Sequence, residues 1–594
     1  MGGFNGPKKE IPIDMPPLRK AILSGLVLLM LSAACAQAQP VIQPPPGYSY
    51  SVVNAFSFLP NIAPGSWFVI FGTGLGPSSI SVYGGALPFP ATLSGTSVTL
   101  TPTSGGPSIT ALMYYTLASQ VAAMLPSSTA PGYYDVQVTY NGQISGPQLV
   151  QVVPRNFGFA TQRTNGQGPA QATYGGYNLN RFTTGTYSGP WTMRPANPGD
   201  VMVLWGTGLG ADSASDLNGG TSGDQTVAAQ VSVIVSGISV TPAYSGRSPG
   251  APGLDQINFT VPSNVSPSCF VSLQVSVGGS LSNLGSIAVA PAGQSACTSS
   301  GLAEALLHTL DLGGTVTAGG LQLGKSSSIY TPKVGESTDT AAGWFGVYHI
   351  DEVANSNLAV VQPGACYLVQ RKGTADQLGF GQPPAQTLNA GTQLTLNGPN
   401  ASNTAIPLQS DGAYLDTLYS TGLQGVGATG SPTLAAGTYT VTGTGGADVG
   451  AFSAQVTLPG DFSWTNETTV PNPVVRSSGL TVTWTGNEGG LVVVLGSALT
   501  KTSGSGIGAT YSALAVLCTE QASAGSYTIP ANILQQLPAV SGSATASSFG
   551  YLSVFAIPNL SAGQGGFTAP LTAGGTVNGV LGYEVAFNEV IGFE

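Results

Sequence analysis

Pro64-Gly65-Ser66-Trp67-Phe68-Val69-Ile70-Phe71-Gly72-Thr73-Gly74-Leu75-Gly76 returns 134 residues later as Pro198-Gly199-Asp200-Val201-Met202-Val203-Leu204-Trp205-Gly206-Thr207-Gly208-Leu209-Gly210. So long a match does not recur by chance, and it marks an internal repeat. Further along, Ser119-Gln120-Val121 and Pro126 answer to Asp255-Gln256-Ile257 and Pro262 at an offset of 136, and Tyr133 to Val138 matches Phe270 to Val275 at 137. A nearly constant offset means two homologous units of about a hundred residues that differ by small loop changes. Within the first unit Val69, Phe71, Val98, Leu100, Val136 and Val138 alternate with other residues in short runs bounded by Gly, Pro, Ser and Asn. That two-residue period predicts half-buried strands, and turn signals at such short spacing predict a sandwich of two sheets rather than a βαβ fold. The glycines of Gly72-Thr73-Gly74-Leu75-Gly76 are read as a turn that needs positive φ, where a side chain would clash.

At these residues the chain resembles the IPT/TIG-like, immunoglobulin-fold repeat of large secreted proteins from Solibacter-type acidobacteria. The matching marks are the Pro-Gly to Gly-Thr-Gly-Leu-Gly stretch, the Gln-Val/Ile-x-x-x-x-Pro strand (Gln120 to Pro126, Gln256 to Pro262), and a Val-rich strand ending in Asn141-Gly142 or Gly278-Gly279. The resemblance runs from about Ile62 to Ala292. It implies tandem Ig-like β-sandwiches, export, a cysteine pair at Cys269 and Cys297, and an inter-domain connection from Phe157 to Asn197. It implies little about activity, because fold does not fix function. Ala436 to Gly443 and Gly446 to Ser453 are similar to a C-terminal module of the same proteins.

Across the 594 residues only 7% are charged, against about a quarter in an average soluble chain, while 42% are apolar. Disorder goes with low hydrophobicity and high charge, so this chain is expected to fold, with Ser, Thr, Asn, Gln and Gly covering its surface. The net charge of -10 becomes more negative once Lys8, Lys9, Arg19 and Lys20 are removed, which excludes nucleic acid as a partner. Arg19 and Lys20, the apolar run Ala21 to Ala34 and Ala36-Gln37-Ala38 read as a signal peptide cleaved after Ala38. The run falls short of the ~20 residues of a membrane-spanning helix, and none appears later. Acylation at Cys35 is disfavoured, because a lipobox puts Leu three residues before the cysteine and here Leu31 stands four before it. The expected location is extracellular or on the outer cell surface. Cys269, Cys297, Cys366 and Cys518 remain, an even number for an oxidising compartment. Three pairings are possible; proximity favours Cys269 with Cys297 and leaves Cys366 with Cys518.

The expected organisation is all-β: signal peptide 1–38, first Ig-like repeat 46–155, connection 156–197, second repeat 198–298, a β-rich domain 299–460 and a C-terminal β-rich domain 461–594. In the last two, Leu394 and Leu396, Tyr439 and Val441, Ala454, Val456 and Leu458, and Leu480, Val482 and Trp484 alternate, and Leu491 to Leu495 is a continuous buried-type run. Ala303 to Leu310 is the one helix the pattern predicts. The boundary is placed at the Gly- and Pro-rich break from Pro459 to Pro473.

Several motif matches fail on context. Gly319 to Ser326 satisfies the P-loop pattern, but Leu321 and Leu323 alternate, Pro332 stands where the helix should run, and a β-turn is the better reading. Gly246-Arg247-Ser248-Pro249-Gly250 fits a nucleophile elbow, whose oxyanion N–H must come from the residue after the serine, and Pro249 has none. Only His308 and His349 are available for base or zinc chemistry. His349 with Asp351 and Glu352 is read as a surface polar cluster rather than a ligand set. Asp212, Asp216 and Asp224 form an acidic loop without EF-hand spacing, read as solvated rather than calcium-binding. No catalytic, cofactor-binding or metal residue is assigned, and no cofactor is expected. Tyr174, Tyr177, Tyr187 and Trp191, in the connection, are the candidate ligand aromatics, set against a packing role between the units. The expectation is a non-enzymatic secreted or surface protein for adhesion, display or structure, with a cell-surface protein or extracellular polysaccharide as partner. Carbohydrate binding through those aromatics is the alternative, and a polysaccharide-acting enzyme a third.

Overall fold

The computed structural model describes residues 39–594 except 47–49, 176, 213–215, 218–229, 298–301, 332–333, 355–362, 375–383, 423–426, 505–508, 544–545 and 560–564. The expected signal peptide and Cys35 lie outside the described residues. The chain is a tandem array of β-sandwiches.

In the first unit the strand Trp67–Thr73 pairs antiparallel with Gln120–Met124 on one side and with Val41–Ile42 and Val52–Asn54 on the other; Leu112–Leu117 and Ser81–Val82 complete the sheet. The facing sheet is centred on Gly132–Tyr140, flanked by Thr96–Pro102 and Gln148–Val152. Phe68, Ile70, Val98, Leu100, Val121, Val136 and Val138 fill the space between. Val69 and Phe71 belong instead to a second apolar cluster with Val53, Ala122 and Phe58. The strand is therefore buried on both faces, and its apolar run is continuous rather than alternating.

The second unit repeats this order. Val201–Thr207 pairs with Asp255–Thr260 and through it with Tyr244–Arg247; Ser268–Val277 pairs with Val231–Val235 and Gly285–Val289 in the facing sheet. The stretch 156–197 proves to be no linker. Its strands Gly158–Phe159, Ala172–Tyr174, Asn178–Asn180, Gly185–Ser188 and Trp191–Arg194 extend the sheet of Val201–Thr207. The repeated glycines show how. Gly72 and Gly206 sit inside their strands, where a Cβ would fall 2.0 Å from the Val41 carbonyl oxygen and 2.3 Å from the Phe157 ring. At these two positions glycine admits a neighbouring strand, whereas Gly74, Gly208 and Gly210 supply the positive φ expected of the turn.

Beyond Leu302 a helix, Glu304–Asp311, leads into a sheet of eleven strands faced by sheets of four and three. Val316–Thr331 pairs antiparallel with Val334–Tyr348 and parallel with the last strand, Thr576–Ile591. Both ends of this half thus lie side by side, and one core runs from Leu321 to Phe593 through Leu394, Tyr439, Val456, Trp484, Val494 and Leu552. The Pro- and Gly-rich break at 459–473 is a crossing from the four-stranded to the three-stranded layer. It does not separate two cores.

Candidate functional site

Little in this chain is charged, so the places where charge is buried stand out, and Arg247, Asp255, Asp311 and Asp351 lie at the seams between units. Arg247 and Asp255 face each other across paired strands and form an ion pair with both side chains 0% exposed. Arg247 also donates to the Gly210 carbonyl at 3.0 Å, and the Leu209 N–H donates to Asp255 at 2.7 Å. Burial, the largest influence, pushes the Asp255 carboxyl up to about 6 despite the guanidinium beside it. Gly65 of the first unit lies against this pair, and a Cβ there would sit 2.7 Å from the guanidinium. Around it, Asp216 accepts from the Ser127 N–H and hydroxyl, both at 2.7 Å. The Asn54 amide donates to the carbonyls of Asn156 and Thr207 at 2.8 and 3.1 Å. The Thr207 hydroxyl accepts from the Trp67 backbone N–H and donates to Gly253.

The second seam joins the second unit to the C-terminal half. Asp311 accepts from the Phe182 N–H, the Thr183 N–H and the Thr183 hydroxyl at 2.7 to 2.9 Å. Burial nonetheless raises its carboxyl above the ordinary range. Arg163 reaches Asp351 at 2.9 Å and Glu352 at 3.3 Å. Beside these, Phe182, Phe270, Cys269 and Cys297 share an apolar cluster with Leu307, Leu310, Tyr348 and Ile350. Cys269 is bonded to Cys297 in that cluster. Cys366 is bonded to Cys518, directly opposite it on the neighbouring strand, with the Cα atoms 4.1 Å apart.

The four candidate aromatics separate. Tyr174 is core: its hydroxyl donates to the Arg194 carbonyl and accepts from Asn180, and Arg194 lies over the ring at 4.2 Å. Burial holds its phenol far above the usual value. Tyr187 lies under Arg181 at 5.3 Å. Tyr177, 58% exposed, meets the half-buried Trp191 edge to face at 5.1 Å. These two alone of the four form a solvent-facing pair.

The motif lookalikes find ordinary partners. Gly319 to Ser326 lies mid-strand, bonded into the sheet on both sides, so its amides cannot cradle phosphate, and the expected β-turn is a strand. Ser248 is buried beside the ion pair, with its N–H given to the Leu254 carbonyl. The His349 N–H and Nδ1 both meet the Glu352 carboxylate, at 2.5 and 3.0 Å, a capping arrangement for the short helix Ile350–Ala354. Asp351 turns away to Arg163 and Asn165, so the three do not converge. Asp216 of the acidic loop is spent on Ser127, and Asp224 lies outside the described residues. Among the described residues no group of His, Cys, Asp and Glu could hold a metal ion, and no helix is long and apolar enough to cross a membrane. A void of about 10 Å³ between Leu323, Leu394, Ile406, Tyr414 and Val441 has room for about one water.

Sequence reading missed the buried pair. Its signal was available, since Arg247 and Asp255 are opposite charges flanking a short turn in a chain nearly without charge.

No family model matches the chain, and no curated protein matches it. Solved structures align weakly. One is the Bacteroides ovatus mixed-linkage glucan utilization locus SGBP-B with a mixed-linkage heptasaccharide: 11% identity over 60% of this chain and 65% of that one, TM-score 0.18. Another is SGBP-B from a complex xyloglucan utilization locus in Bacteroides uniformis, at 9% identity over 82% and 96%, TM-score 0.15. Sidekick-1 immunoglobulin domains 1–4 align at 10% identity over 92% and 98%, TM-score 0.11. Scores this low carry nothing about ligand or activity; the architecture rests on the strand pairings above.

Proposed function

We propose that the chain is an exported, non-enzymatic surface or secreted protein whose β-sandwiches act as one stiff body in adhesion, display or structure, as the IPT/TIG-like resemblance also suggests. The observation that carries this reading is the sealed first seam, where the Ser127–Asp216, Asn54–Asn156 and Trp67–Thr207 hydrogen bonds tie one unit to the next beside a fully buried ion pair of the second unit. Each such buried bond contributes about 1 kcal/mol net, and together they hold the two units in one arrangement. The disulfides Cys269–Cys297 and Cys366–Cys518 support an oxidising compartment. Peptide mapping without reductant, on protein recovered from culture medium, outer surface and cytosol, tests this reading. Both cystine peptides in the first two fractions support it; full-length protein with four free thiols confined to the cytosol overturns it. Carbohydrate recognition is the second reading, favoured by the exposed Tyr177–Trp191 pair. Loss of polysaccharide binding in Trp191→Ala would support it.

A further inference from the structure

Five aromatic rings meet on the outward face of the first sandwich, none of them among the residues considered above as ligand aromatics. Trp67 contacts Phe89 at 5.0 Å and Tyr114 at 4.9 Å; Phe89 lies 5.8 Å from both Tyr114 and Tyr83, and Tyr114 is 5.9 Å from Tyr115. In a regular strand Tyr114 and Tyr115 would point to opposite faces. Here the pairing slips: Met113 stands opposite Ala123 and Tyr115 opposite Ala122, so Tyr114 is the extra residue of a β-bulge. Met113 and Thr116 are both buried toward the core; of the two tyrosines between them Tyr114 is exposed and Tyr115 is half-buried against the cluster of Val69 and Phe71. Tyr114 is 40% exposed, and Val82, opposite Tyr115, is 51% exposed.

The rings rest on a fixed base. The Trp67 indole N–H donates to the Pro252 carbonyl of the second unit at 3.0 Å, and Gly253 packs so close that a Cβ would fall 2.6 Å from Nε1. Rings already held in place lose little freedom when a ligand arrives. Charge narrows the ligand class. Between Gln39 and Pro154 the single Asp, Glu, Lys or Arg is Asp135, which lies on Gly132–Tyr140 in the other sheet. An ionic ligand would find no counter-charge on this unit's aromatic face, whereas the C–H faces of a sugar ring match aromatic faces without one. Tyr114 and Val82 stand on the last two strands of this sheet, Leu112–Leu117 and Ser81–Val82, so the exposed part is an open edge rather than a closed pocket and suits a chain of sugars.

We propose that this face binds uncharged polysaccharide by ring stacking, with Tyr114 as the exposed contact, Phe89 and Tyr83 beside it, and Trp67 as the base. The proposal shares its ligand class with the second reading above but none of its residues. Native affinity electrophoresis of the full-length oxidised protein tests it, in gels containing konjac glucomannan or hydroxyethyl cellulose, with polygalacturonate as the charged control. The parent protein should be retarded by at least one neutral polymer, unchanged when salt is raised to about 0.5 M. Tyr114→Ala should weaken that binding by about tenfold, Tyr83→Ala should weaken it in the same gels, and Tyr114→Phe and Trp191→Ala should keep it. Circular dichroism melting verifies that each variant is folded. Parent protein that passes both neutral gels unretarded, or Tyr114→Ala and Tyr83→Ala retarded like the parent, overturns the proposal. So does a dimer in sedimentation velocity that Tyr114→Ala dissolves, since the face would then belong to a second copy.

Discussion

Arg247 and Asp255 are both 0% exposed, and each is the other's counter-charge. An ordinary aspartate releases its proton near 3.8, whereas burial holds Asp255 to about 6. From about pH 4 to about pH 6 the folded chain therefore keeps a proton that the unfolded chain has lost. The contribution of this carboxyl to stability is fully present below that window, declines through it, and is level above. Removing the guanidinium takes away what draws the value down, so the carboxyl of Arg247→Met rises further and the decline continues past pH 6. Urea midpoints of parent and Arg247→Met should accordingly lie close at about pH 5. By about pH 8 the midpoints should part, with unfolding free energies from the same curves differing by about 3 kcal/mol, the usual cost of stranding one partner of a buried pair. Equal separation at both values would show that the loss is one of packing and not of charge.

Strands were legible wherever one face meets the core, because alternation records that face. Leu394 and Leu396, Tyr439 and Val441, and Leu480, Val482 and Trp484 all point inward as their spacing predicts. What alternation cannot record is a second covered face, and Val69 and Phe71 were misjudged for that reason. The stretch 156–197 looked like a connection because it is rich in Gly, Asn and Thr, yet its strands are short additions to an existing sheet edge and need little apolar pattern of their own. Gly206 admits the first of them, Gly158–Phe159. A methyl group at 206 would collide with the Phe157 ring, whereas Gly199, at φ 91°, has nothing within 4 Å of its Cβ position. Gly206→Ala should therefore displace Gly158–Phe159 from Val201–Thr207 and cost more than about 2 kcal/mol, and Gly199→Ala only about 1 kcal/mol of backbone strain. Hydrogen exchange at the Asn156 and Ala160 amides, which donate to the Gly208 and Trp205 carbonyls, should accelerate in the first variant and stay as in the parent in the second.

At the scale of the whole chain, the question is whether three sandwiches in a row melt singly or together. Independent domains joined by exposed linkers unfold one by one, and a chain of this length is large enough to do so. Here the first unit gives its Trp67 N–H, Asn54 amide and Ser127 hydroxyl to the second, and the second gives its Phe182 and Thr183 N–H groups to Asp311 of the third. Exposing either seam would leave those donors to water and open a buried charge, so partly unfolded states carry a penalty beyond the cost of their own unit. Calorimetry of the oxidised chain should show one main transition. Asp216→Ala removes two bonds to Ser127 without touching either core and should split off an earlier transition from the first unit, lower by several degrees. Cleavage by a protease between residues 152 and 158 should appear in that variant before it appears in the parent. Two separate transitions already present in the parent would mean that the seam holds position without transmitting stability, and the stiff-body reading would fail with it.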